Sequence, residues 1–219
     1  MPKTVRIYGT ARNLRDAPPR SDSGVEVWLA NGPKTVKMRL KRSIEDEWTR
    51  WVNLHSKAHI VGCYPSGWMY YRDKAQGRPV YLQKVDTEIP TSKAFPRKEI
   101  QAKFATAKGP NRYFTCSVCW LIAWAIFDGF ERIELWGFEL RDTKPGSAHA
   151  FERPCFAYWV QQAREHGVEV FYQEAIARLY EQGKMVPGNP DTYGGLLYGY
   201  STKPEPDWDL HREKFVDED

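Results

Sequence analysis

The chain has 219 residues, 42% of them hydrophobic and 14% aromatic with nine Trp, enough apolar material for one large domain with a buried core. That composition excludes a largely disordered chain, and it excludes a bilayer-spanning helix, because the longest apolar stretch, 116–127, stops at Asp128. The net charge of +4 is unevenly spread: residues 1–42 hold ten Lys or Arg against three acids, and residues 204–219 hold seven acids against two bases.

No apolar segment with a small-residue cleavage site follows Met1, so a cytoplasmic setting without membrane attachment is expected. The four cysteines, Cys63, Cys116, Cys119 and Cys155, show no framework spacing. Cys116 and Cys119 form a C-x-x-C whose one candidate second ligand pair, His55 and His59, is distant in sequence, so no metal is expected.

Val5-Arg6-Ile7-Tyr8 is short, β-branched and aromatic, and it predicts a strand entering the turn Gly9-Thr10-Ala11. Residues 25–30 predict a second strand, closed by Asn31-Gly32-Pro33. Residues 48–54 predict a third, with His55 just beyond it, although Trp48, Trp51 and Val52 also fit helical spacing. Residues 79–83 predict a fourth. Prolines 90 and 96 enforce extended chain before a helix over 97–104.

A buried apolar helix is predicted up to Asp128, capped by Thr115 or Ser117 and ended by Gly129. Residues 133–136 follow as a buried strand closing on Gly137. A polar loop then leads to a helix over 154–165 with Pro154 in its first turn, a strand over 168–172 and a helix over 175–181. This alternation predicts an α/β fold, Rossmann-like, with a mostly parallel sheet flanked by helices. Residues 1–182 would form that single domain, and the Gly- and Pro-rich residues 183–219 an extended C-terminal tail or lid.

In open α/β sheets, ligands bind beyond the carboxyl ends of the strands. The expected site therefore comprises Gly9, Thr10, Ala11, Asn31, Gly32 and Gly137, with Thr115, Cys116 and Ser117 at the helix start. Glycine-turn amides and a helix N-terminus bind phosphate, which points to a nucleotide. Neither G-x-G-x-x-G nor the P-loop motif occurs.

His149, in the loop before a helix and close to Glu152 and Arg153, suits a general base, a partner for a departing phosphate, or a helix-start contact. Glu139 suits a base, a ribose ligand or an ion-pair partner of Arg141 or Arg153. His55 faces the same choice between binding and packing. Trp48, Trp51, Trp68, Tyr70 and Tyr71 suit either stacking on a ligand or the core, while Trp120, Trp124 and Trp136 suit the core.

Phe114-Thr-Cys-Ser-Val-Cys-Trp through Gly137-Phe138-Glu139-Leu140, with His149 and the Gly167-Val168-Glu169-Val170 strand downstream, resembles the small bacterial sialyltransferases and their relatives. The Trp-rich segment ending in His55 and the late Leu197-Tyr198-Gly199-Tyr200 are similar to proteins of tailed bacteriophages. The resemblance implies a Rossmann-like nucleotide-sugar glycosyltransferase with no required cofactor. It implies Gly9, Thr10 and Asn31 near the nucleotide, Thr115 and Ser117 near ribose or phosphate, and His149 as catalytic base. Glu139 is added as a second catalytic candidate, and His55, Arg153 and Tyr198 as substrate-binding candidates. The acceptor would be a hydroxyl, a modified base in DNA being one choice in a phage-infected host cytoplasm; self-association stays open. The competing expectation is a non-catalytic protein that sequesters a nucleotide signal or metabolite. A nucleotide hydrolase or N-glycosidase using Glu139 or Glu152 is a third.

Overall fold

The structure, a computed structural model, describes residues 2–20, 24–31, 33–44, 46–63, 65–75, 77–141, 148–191, 198 and 200. Seven strands, β1 (Thr4–Tyr8), β2 (Val25–Ala30), β3 (Arg50–Val52), β4 (Val80–Leu82), β5 (Ser92–Ala94), β6 (Arg132–Trp136) and β7 (Glu169–Tyr172), form one sheet. Its order is β5-β4-β3-β2-β1-β6-β7, and every pairing is parallel. The chain builds outward from β1 to β5, then crosses back to place β6 on the other side of β1. The strand order thus reverses between β1 and β6, where parallel sheets open a crevice.

Period-two alternation sorts the strand residues into two layers. Val5, Ile7, Trp28, Ala30, Val52, Ile133 and Leu135 face α4 (Arg97–Lys103), α5 (Ser117–Phe127), α6 (Ala148–Glu165) and α7 (Glu174–Glu181). Tyr8, Val27, Leu29, Trp51, Val80 and Leu82 face a 3-10 turn (Arg12–Asp16), α1 (Pro33–Leu40), α2 (Lys57–Cys63) and α3 (Pro65–Lys74). This is the helix-covered parallel sheet expected from the sequence.

Helix α5 fills the first layer. All its residues except Phe127 are buried, as befits a helix apolar on every face. Trp120 stacks on Phe114 with ring centroids 3.6 Å apart, and Trp124 lies 4.6 Å from Trp28. At the C-terminus, Gly129 adopts φ +72°, and the N–H groups of Gly129 and Phe130 donate to the carbonyls of Ile126 and Ala125. The same closure recurs at Gly167 after α6 and Gly183 after α7, so three orphaned helix ends are satisfied alike.

Several expectations are corrected. Cys116, extended at φ −153°, is the N-cap of α5, with no side-chain cap from Thr115 or Ser117. Ser117 instead spends its hydroxyl on Asn31, and Thr115 is buried in the layer beneath. Helix α6 starts at Ala148, six residues earlier than predicted, so Pro154 lies inside it and His149 stands in its first turn rather than in a loop. The proline forfeits one N–H along the helix, and its own carbonyl accepts the Gly188 N–H at 3.1 Å. Helices α1, α2 and α3 were not anticipated. Of the C-terminal segment, 192–197, 199 and 201–219, including the acidic end, lie outside the described residues; Tyr198 is buried, its N–H donating to the Phe114 carbonyl.

Candidate functional site

The ends of β1 and β6 meet closely. Gly9 N–H donates to Trp136 O (2.8 Å) and Ala11 N–H to Gly137 O (2.9 Å), extending the ladder past the strands into paired turns. A Cβ at Gly9 would lie 2.4 Å from Gly137 O and 2.7 Å from the Phe138 ring, so only glycine fits. Gly137 itself adopts φ +76°. Gln173, just past β7, locks the arrangement: its Oε1 accepts the Gly137 N–H and its Nε2 donates to Asn13 O, both at 2.8 Å. Asn13 Nδ2 in turn donates to Phe138 O at 3.2 Å.

Asn31 ends β2 with φ +62°, a conformation its short amide tolerates. Its carbonyl accepts hydrogen bonds from Trp51 Nε1 (2.8 Å) and the Tyr71 hydroxyl (2.6 Å), and its Oδ1 accepts the Ser117 hydroxyl at 3.1 Å. Ser117 therefore ties the first turn of α5 to the end of β2.

Between these elements opens a cavity of about 340 Å³. Its walls are Gly9, Thr10 and Ala11 after β1, Ala30 and Asn31 after β2, and Cys116, Ser117 and Val118 at the start of α5. Gly137 through Arg141 after β6, Glu152 of α6, and Tyr198 complete it. Seven of the nine residues expected at a nucleotide are brought together here. The other two are Gly32, outside the described residues, and Thr115, which is 3% exposed and does not reach the wall.

The donors around this cavity are unequal. The Gly9, Ala11 and Gly137 amides are engaged within the turns, so these residues shape the floor instead of offering N–H groups as expected. The first-turn amides of α5 have no carbonyl partner within their own helix, and they carry the positive end of its dipole. Opposing charge comes from two carboxylates, Glu139 and Glu152. Arg141 Nε lies 4.0 Å from Glu139 Oε2.

Glu139, at the end of β6, is thus placed as expected. His149 stands three residues before Glu152, on the same side of α6 by helical periodicity, with its side chain outside the described residues. Arg153 is buried and is not among the residues lining this cavity. His55 lies outside this cavity, yet its Nε2 is 2.7 Å from the Tyr198 hydroxyl and its ring stacks on His59. It lines a second cavity of about 330 Å³ with Lys57, Trp68, Gln83 and Asp86. Lys57 pairs there with Asp86 and Glu88, and hydrogen bonds from its ammonium hold both carboxyls below their ordinary range. Trp48 and Trp51 are fully buried in the second core layer, so of the Trp residues near His55 it is Trp68 that borders a cavity.

Gln173 and Asn13 were missed, because neither belongs to a motif. The sequence signal for Gln173 is only its place after the last strand. Among the described residues no group of three or more His, Cys, Asp or Glu is arranged to hold a metal, and no helix is long and apolar enough to cross a membrane. The chain matches no protein-family model, no curated protein and no solved structure.

Proposed function

We propose that the chain binds a nucleotide in the cavity between β1 and β6 and transfers a glycosyl group from a nucleotide sugar to an acceptor hydroxyl. One observation carries this reading: the cavity sits where the strand order reverses, with two glycine turns, the N-terminus of α5 and two carboxylates converging on it. Phosphate would lie against the first-turn amides of α5, near Ser117 and Asn31. The sugar would lie toward Glu139 and Glu152, whose negative charge favours positive charge developing at the anomeric carbon. His149 is the proposed base, taking the acceptor proton as the new C–O bond forms and the nucleotide leaves with the electron pair.

The carboxylate pair also favours a second reading, hydrolysis of a nucleoside's glycosidic bond, with one carboxylate activating water. A nucleotide-sugar panel separates the two. Transfer predicts release of nucleoside mono- or diphosphate, falling about 100-fold or more in His149→Ala and in Glu152→Gln. Hydrolysis predicts release of free base, lost in Glu139→Gln or in Glu152→Gln and kept in His149→Ala. Binding without turnover would instead indicate sequestration, and turnover indifferent to all three substitutions would overturn the site.

A further inference from the structure

The cavity wall carries a pair of thiols to which the proposed nucleotide contacts give no role. Cys116 is the N-cap of α5 and Cys119 lies three residues on in its first turn, with their Sγ atoms 3.2 Å apart. Residues three apart on a helix bring their Cβ atoms within about 6 Å, and a disulfide needs Cα atoms about 4.4 to 6.8 Å apart. Closing the remaining sulfur gap to the bonded length of about 2 Å takes a movement of about 1 Å, within reach of rotation about the side-chain bonds. The pair also has an entrance. Cys116 lines the cavity, whereas Cys119 is fully buried behind it.

The third buried thiol among the described residues, Cys155, hydrogen-bonds to Cys119 and is held in addition by the backbone. Its S–H donates to the Tyr113 carbonyl at 2.8 Å, and its sulfur accepts the Thr115 N–H at 3.5 Å. This leaves Cys116 as the sulfur an outside reagent meets first and Cys119 as the one positioned to resolve it.

We propose that Cys116 and Cys119 form a redox-active dithiol in the cavity wall, oxidised to an intramolecular disulfide by a small-molecule disulfide that enters through the cavity. Cys116 loses its proton to solvent, and its sulfur attacks one sulfur of the reagent. That S–S bond breaks, and the departing thiolate takes up a proton. The Cys119 sulfur, deprotonated in turn, then attacks Cys116, forming the internal bond and expelling the second thiol. Two protein thiols are oxidised and one disulfide is reduced to two thiols.

The Cys119 hydrogen bond favours the Cys116 thiolate, but burial and the neighbouring Glu152 carboxylate outweigh it and leave this thiol above its ordinary range. Burial raises Cys119 further. The dithiol is therefore protonated at neutral pH, and mildly alkaline solution is the condition for the experiment.

The full-length folded protein is treated with oxidised glutathione, then quenched, alkylated in denaturant and mapped by mass spectrometry. The expected result is a peptide lighter by two hydrogens, with Cys116 linked to Cys119. In Cys119→Ser the expected product is one glutathionyl group held on Cys116, because the resolving thiol is gone. Full alkylation of both cysteines after treatment of the wild type would overturn the proposal, as would a bond mapped to Cys155. Neither readout requires nucleotide, so the dithiol can fail while the nucleotide site stands, and the reverse.

Discussion

Gly9 is the residue on which the site's shape depends most directly. In Gly9→Ala the new methyl would meet a backbone carbonyl and an aromatic ring, so the turns of β1 and β6 must part. Overpacking of this kind costs about 2 kcal/mol, and chemical denaturation should report that loss together with weaker nucleotide binding. Gln173 is the second such residue. Gln173→Ala leaves the Gly137 N–H and the Asn13 carbonyl without their partner, a loss of about 2 kcal/mol. Amide hydrogen exchange at Gly137 should accelerate, and unchanged exchange would show that the lock is dispensable. The two differ in legibility. A glycine after a β-branched run announces a turn, whereas a glutamine after a strand has many uses, and only its position against two turns distant in sequence gives it this one.

Among the elements, β1 and β6 hold the two turns together, and one cross-strand pair braces them. Arg6 and Glu134 stand opposite each other in register, with Arg6 Nε 2.8 Å from Glu134 Oε2 and both side chains about one-tenth exposed. Glu134 also pairs with Arg132 at 3.0 Å, so Glu134→Ala, which strands the buried Arg6 guanidinium, should cost about 3 kcal/mol by denaturation, while the double change Arg6→Met with Glu134→Met should recover part of it. A double variant as unstable as Glu134→Ala alone would show that the pair contributes favourably in its own right.

Helix α5 was legible because its length, uniform apolarity and Gly129 agree. Helices α1 and α3 were not, because Pro33 and Pro65, the first residues of each, also punctuate turns. Within α1, Val36 and Leu40 supply a single i,i+4 apolar pair, which is too little periodicity to identify a helix. Helix α6 was placed six residues late for a similar reason, since Pro154 marks a helix start more often than an interior. That delay moved His149 from a helix into a loop.

Across the whole molecule, burial sets the response to alkali. Tyr8 is pushed up to about 12, chiefly by burial and then by the Glu47 charge, from an unfolded value of 10.0. Burial likewise raises Tyr71, Tyr180 and Tyr200. A phenol whose folded value lies above its unfolded value contributes stability that is intact below the unfolded value and is lost as pH rises toward the folded one. The denaturation midpoint should therefore hold steady up to about pH 9 and fall above about pH 10, with absorbance from these tyrosinates appearing as the fold is lost. The basic segment 1–42 reads differently once folded. Arg6 and Arg42 are held in ion pairs, so fewer cations are available to nucleic acid than the count suggests. What remains distinctive of the molecule is the cavity at the strand-order reversal. Its most direct test is a titration of the isotope-labelled protein with nucleoside diphosphates and nucleotide sugars, followed by amide NMR. The account predicts that the largest shifts fall on Thr10, Ser117 and Val118; silence at those amides across the panel, or shifts gathered instead around Lys57 in the second cavity, would contradict it.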